Sequence, residues 1–172
     1  ARLQTESNVR ALGMLKLLRA NGAPIGAIYR AGRRMASTKV AKVNEIPSGE
    51  KKMVKVGEQE VLLVNHENTI YALNPKCPHL GLSLKSGKIT DDGQGPVITC
   101  KFHQSKFNLK TGECAAWSQS FLGIPGTGII GGVVGNMGGP KHSPATVYSV
   151  EVDGEGSVMV DISKTGQSGC KV

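Results

Sequence analysis

The chain is 172 residues long, 39% hydrophobic and 20% charged, with a formal net charge of +8 and a pI near 9.5. That length accommodates one domain of ordinary size plus an appendage, and the apolar fraction supports a modest core. Its apolar stretches are too broken by charge or glycine to cross a membrane as a helix, and no nucleotide-binding loop or flavin motif occurs.

The first segment, from Ala1 to Thr38, holds seven Lys and Arg against one acid, Glu6, so most of the positive charge belongs to this arm. Ser7 can cap a helix running through Val9, Leu12, Leu15, Leu17 and Leu18, with Asn21-Gly22 as its stop and Pro24 just beyond; a second short helix is expected over residues 25–35. Arg-rich, Ser-containing and poor in acids, residues 1–39 have the composition of an organellar transit peptide. Because the chain starts at Ala1, the expectation is that a presequence has been removed and that the basic, partly helical arm docks on a larger assembly. The alternative lays its basic face on an anionic membrane surface. Nucleic acid is not expected as a partner, since Tyr29 is the arm's lone aromatic residue.

From Val40 onward the pattern becomes short β-branched runs separated by turns. Strands are expected at Val43–Ile46, Lys52–Val56, Glu60–Asn65, Thr69–Leu73, Val97–Cys100, Lys106–Leu109, Thr146–Val152 and Ser157–Ile162. Asp91-Asp-Gly-Gln-Gly95 and Asp153-Gly-Glu-Gly156 read as hairpin turns. The fold class is therefore all-β, with a main domain over residues 40–165 and a short tail, 166–172. Residues 121–140 interrupt it with a glycine-rich, uncharged run up to Gly139. Glycines in a helix interior each cost about 1 kcal/mol relative to alanine, which argues against a membrane helix. The run is either a surface loop or, through Ile129, Ile130, Val133 and Val134, an apolar docking patch.

Two short clusters carry the chemistry. Cys77-Pro-His79 and Cys100-Lys-Phe-His103 each place one thiolate and one imidazole on a single loop. This is the arrangement in which two histidines replace two cysteines on one iron of a [2Fe–2S] cluster. Neutral imidazoles make that iron easier to reduce, moving the potential to about −150 to +300 mV from about −400 mV for plant-type ferredoxins. Zinc in a Cys2His2 site is the alternative, although the familiar zinc-finger order is two cysteines followed by two histidines.

The longer strings Cys77-Pro-His79-Leu-Gly81 and Cys100-Lys-Phe-His103-Gln-Ser105-Lys-Phe107, followed by Asn108-Leu-Lys-Thr111-Gly112, closely resemble the two cluster-binding boxes of Rieske ferredoxins. The resemblance runs from about Val40 to Ile162. It implies an antiparallel β-sandwich with a two-loop cluster-binding subdomain and a Rieske-type [2Fe–2S] cofactor. Cys77 and Cys100 would bind one iron and His79 and His103 the other, with Gly81, Ser105 and Phe107 around them. Rieske proteins of quinol-oxidising complexes carry a further disulfide-forming cysteine in each box, where this chain has Leu82 and Phe102. Together with Phe107, which stands where high-potential members have a tyrosine, this implies an intermediate-to-low potential, although Ser105 could hydrogen-bond a bridging sulfide and raise it. Gln104 replaces the glycine usual after the second histidine, and a slightly altered loop is expected there.

No second redox centre is legible. The chain has too few residues for an oxygenase's catalytic domain, and only His66 and His142 remain after the cluster ligands; both read as surface-loop residues. Cys114 and Cys170 read as a buried small residue and a tail thiol. The expected function is one-electron transfer between protein partners rather than independent enzymatic turnover. The arm and the insertion favour a subunit docked on a larger membrane-associated complex, with a photosynthetic complex at the plastid thylakoid as the expected setting. The alternative is a soluble Rieske ferredoxin feeding an oxygenase or a nitrite-reductase-like enzyme.

Overall fold

The computed structural model describes residues 37–120, 124, 133, 140–166 and 168–172. The chain divides into two units, Ala1–Met35 and Ala36–Val172. The helices expected in the arm lie outside the described residues, as does nearly all of the glycine-rich run, of which Ile124 and Val133 are described and exposed.

The second unit begins with β1 (Thr38–Lys42), a 3-10 turn (Val43–Glu45), β2 (Lys51–Val56), β3 (Gln59–His66) and β4 (Thr69–Leu73). It continues with β5 (Lys88–Asp91), β6 (Pro96–Thr99), β7 (Lys106–Asn108) and β8 (Cys114–Ala116), then closes with β9 (Val147–Val152), β10 (Ser157–Thr165) and β11 (Cys170–Lys171). Two antiparallel sheets result. The larger has the order β1-β10-β9-β4-β3-β2, with β11 added on β4, and the smaller has the order β5-β6-β7-β8. The ends of the larger sheet, β1 and β2, lie against each other, so it is nearly closed.

The run Val61-Leu62-Leu63-Val64 in β3 explains the layering. A strand without a polar face must be covered on both sides, and all four side chains are fully buried. Val61 and Leu63 point into a core lined by Ile70, Ala72, Tyr148, Val150, Val158 and Val160, inside the nearly closed sheet. Leu62 and Val64 point the other way, into a core shared with the smaller sheet through Ile98, Phe107 and Leu109. Cys77 and Cys100 belong to this second core.

Three sequence expectations change. Val43–Ile46 was expected to be a strand, but Val43–Glu45 forms a 3-10 turn and Ile46 lies beyond it, closed by Ile46 N–H donating to Val43 O at 3.0 Å, while the strand lies earlier, at Thr38–Lys42. The β-branched residues satisfied the pattern, but pairing with β10 selects the earlier register. The tail is also built into the sheet. Cys170 pairs with Ile70, and Ser168 accepts from Ala72 N–H through Oγ at 2.7 Å while donating its own N–H to Lys110 O at 2.8 Å. The hairpin turn at 92–95 joins β5 to β6 as expected, with Asp91 and Asp92 side chains accepting from Gly93 and Gln94 N–H groups. His66 ends β3 rather than lying in a loop; the turn after it is Glu67-Asn68, both with positive φ, the tight hairpin type that matches strand twist.

The two sheets are joined at Gly112, which has φ +78° and accepts from Ala145 N–H at 2.8 Å. A Cβ there would lie 2.1 Å from Ala145 O. Gly112→Ala is therefore expected to cost roughly 3 kcal/mol or more, measured by urea denaturation; a loss within 0.5 kcal/mol, roughly that of a neutral surface change, would show that the sheets are not anchored here.

Candidate metal centre

Each cysteine lies just past the end of a strand and opens a loop that closes on that same residue. After β4, Asn74 Oδ1 accepts from Lys76 N–H at 2.9 Å and turns the chain into the first loop. There Cys77 N–H donates to Leu82 O, and Gly81 N–H donates to Cys77 O, both at 2.8 Å. After β6 the second loop repeats the arrangement: Cys100 N–H donates to Ser105 O at 2.8 Å, and Gln104 N–H donates to Cys100 O at 3.0 Å. The residue four places after each cysteine is left-handed, Gly81 at φ +70° and Gln104 at +56°. The glutamine therefore leaves the loop's closure unchanged; it takes up the conformation a glycine would hold, at a steric cost of about 1 kcal/mol.

The loops bring the four predicted donors together in two pairs. The Cys77 and Cys100 side chains hydrogen-bond each other, and the His79 and His103 rings have centroids 4.8 Å apart in an edge-on arrangement. All four residues are buried. The sulfur contact pushes the Cys77 thiol up, reinforced by burial, and draws Cys100 down to about 6; the two titrate as a pair sharing one proton. Burial, then the neighbouring His79, lowers His103, favouring the neutral imidazole that a metal requires.

This grouping fits a two-iron cluster better than a single ion. Tetrahedral zinc needs four donors at about 2.0–2.3 Å from one point, whereas among the described residues no three His, Cys, Asp or Glu gather in that way. A Rieske cluster instead needs a sulfur pair at one iron and an imidazole pair at the other.

Around the donors, Ser105 is fully buried and its Oγ accepts from Ser118 N–H at 3.0 Å. Its own hydroxyl hydrogen can therefore be donated elsewhere. Phe107 is fully buried, and Gly81 and Leu80 lie on the outer part of the first loop, with Leu80 exposed. Sequence reasoning missed Trp117, whose buried ring lies 5.2 Å from His79, and the exposed His142, whose ring lies 6.0 Å beyond it in a tilted arrangement. The tryptophan directly follows β8 and reaches the histidine only through the fold. Cys114 and Cys170 are free thiols, both half-buried rather than one buried and one in a loose tail, and Cys114 packs against the core that holds Cys77 and Cys100.

Residues 36–121 match the family described as the Rieske [2Fe-2S] domain, half of the chain. The chain belongs to the Rieske [2Fe–2S] domain family. Its cofactor is accordingly a Rieske-type [2Fe–2S] cluster, on the ferredoxin-like branch. The chain is 40% identical over 74 residues to the ferredoxin component of an alkene monooxygenase system from Xanthobacter autotrophicus, a match spanning 43% of this chain and 58% of that protein. It is 28% identical over 130 residues to a biphenyl dioxygenase ferredoxin subunit from a Pseudomonas species, covering 76% of this chain and 95% of the relative. Among solved structures, a chain from the complex of reduced oxygenase and oxidized ferredoxin in carbazole 1,9a-dioxygenase aligns with a TM-score of 0.53 and 26% identity, over 74% of this chain and 94% of that one.

The loop geometry makes a paired prediction. Gly81→Ala has open space for its Cβ but must hold φ +70°, and should cost about 1 kcal/mol. Gln104→Gly relieves the same strain in the second loop and should raise the melting temperature of the cluster-loaded protein. The reverse order of the two melting temperatures would show that loop strain is not what separates them.

Proposed function

We propose that this chain is a one-electron carrier that delivers electrons to the terminal component of a multicomponent oxygenase. Cys77 and Cys100 would hold the inner iron of its Rieske cluster, and His79 and His103 the outer one. The observation that carries the ligand assignment is the pairing of buried donors, sulfur with sulfur and imidazole with imidazole. The oxygenase rests on the likeness to ferredoxin components of alkene and biphenyl oxygenase systems. These relatives support the soluble-ferredoxin alternative better than the plastid membrane complex, for which the arm and the insertion were the argument.

When bound, the cluster supplies a reversible one-electron couple. The protein's residues prepare its seat. The sulfur contact lets one thiol give up its proton readily, as metal binding requires. Trp117 packs on His79 and keeps water from that imidazole. Ser105 brings a hydroxyl donor to the sulfur side, which raises the potential, while Phe107 offers no hydroxyl and the absence of a disulfide between the boxes, at Leu82 and Phe102, works in the other direction.

The test is anaerobic loading with iron and sulfide, metal assay, and low-temperature EPR of the dithionite-reduced protein. His79→Ala and His103→Ala should each abolish the mixed-ligand signal, while Cys114→Ser and Cys170→Ser should retain it. Zinc without iron would overturn the assignment. For the acceptor, stopped-flow mixing of the reduced chain with an oxidised biphenyl-type oxygenase component should transfer one electron per chain; a normal EPR signal without transfer would reject the oxygenase while leaving the cluster in place.

A further inference from the structure

Charge is divided unevenly over the Rieske unit. Segments 74–90 and 100–110, which include both ligand loops, carry Lys76, Lys85, Lys88, Lys101, Lys106 and Lys110 and no acid. The remainder of Ala36–Val172 carries eight lysines against twelve acids. A unit that is nearly neutral overall thus has two acid-free, lysine-bearing stretches, each holding one ligand pair, although Lys76 in the first borders Glu58 and Glu60.

Two of these lysines are aligned by the smaller sheet, and a third joins them from a loop. Lys88 on β5 lies directly opposite Thr99 on β6, and Thr99 lies opposite Lys106 on β7. Residues directly opposite in antiparallel strands share a face, so the three form one row. Lys101 joins them from the second ligand loop, and together they line a groove of about 390 Å³ that reaches Cys100. Among the described residues the ion pair is Lys52–Glu45; none of these three lysines is neutralised. The bordering acids Asp92 and Glu113 line a separate hollow with His142.

We propose that the protein partner exchanging electrons with this chain presents a carboxylate-rich surface that seats on the patch formed by Lys88, Lys101 and Lys106 beside Cys100. The inference rests on the electron-carrier reading above and names the partner's surface chemistry. Like-signed charge around a redox centre steers an oppositely charged partner and raises the encounter rate by about 10- to 1,000-fold, an effect that salt removes. An acidic protein surface suits the patch better than a small anion, because the three lysines are spread across two strands and a loop rather than converging on one point.

The test uses the whole 172-residue, cluster-loaded chain, reduced and mixed in stopped flow with hexacyanoferrate(III) or hexaammineruthenium(III). In each reaction one electron leaves the cluster and reduces one metal complex, with no bond or proton changed. The rate with the anionic complex should fall steeply as ionic strength rises from about 0.01 to 0.15 M, where the Debye length shortens from about 30 to 8 Å. The triple variant Lys88→Glu/Lys101→Glu/Lys106→Glu should lower that rate by about tenfold at low salt and raise the rate with the cationic complex. The charge-neutral triple Lys→Gln variant should fall between, and Lys55→Glu on β2 should match the wild type. Poly-L-glutamate should slow the wild-type reaction and leave the triple variant unaffected. Unchanged rates in the triple Lys→Gln variant with an intact EPR signal would overturn this inference alone, as would stronger competition by duplex DNA of equal charge; loss of the EPR signal in the wild type would instead reject the electron-carrier reading.

Discussion

The contact between Cys77 and Cys100 is the constraint on which the rest of the arrangement depends. Two thiols from loops separated by more than twenty residues meet inside an apolar core, where an unpaired polar or charged group would be costly. For them to meet, the loop after β4 in the larger sheet and the loop after β6 in the smaller must project from one end of the fold. The joins at Gly112, Ala145 and Ser168 hold the two sheets in that relation. The sulfur pair is thus a product of sheet packing, and the imidazole pair follows because each loop places its histidine two or three residues beyond its cysteine.

Loop closure makes the placement repeatable. Both loops use the same two backbone hydrogen bonds about their cysteine and the same left-handed residue four places on. One loop spends a glycine on that conformation and the other a glutamine, so the shape is dictated by the hydrogen bonds rather than by residue preference. The hydrogen bonds that close both loops fix their backbone locally, which lowers the ordering left to binding.

Electrostatics divide the same end of the molecule by depth. The donors themselves are buried, while lysines lie exposed or half-exposed around them. Burial of the imidazoles behind Trp117 limits water at the redox centre, and the lysines act across the remaining distance through a field that does not need contact. An apolar seat and a charged rim therefore perform separate tasks at one end of the chain.

Much of this was legible in the residues. The Cys-x-His and Cys-x-x-His pairs, the alternating and fully apolar strand runs and the acidic hairpin turn each carry their information locally, because ligand chemistry, side-chain alternation and turn geometry depend on neighbours within a few positions. What tertiary structure decided were the relations between distant segments. Pairing with β10 moved the first strand from Val43–Ile46 to Thr38–Lys42; pairing with β4 turned the tail at Cys170 into a strand. Packing across the sheets brought Trp117 to His79 and aligned Lys88, Thr99 and Lys106 into one row. Sequence spacing sets which residues share a loop, but only the closing of long loops by sheet hydrogen bonds and core burial sets which loops meet.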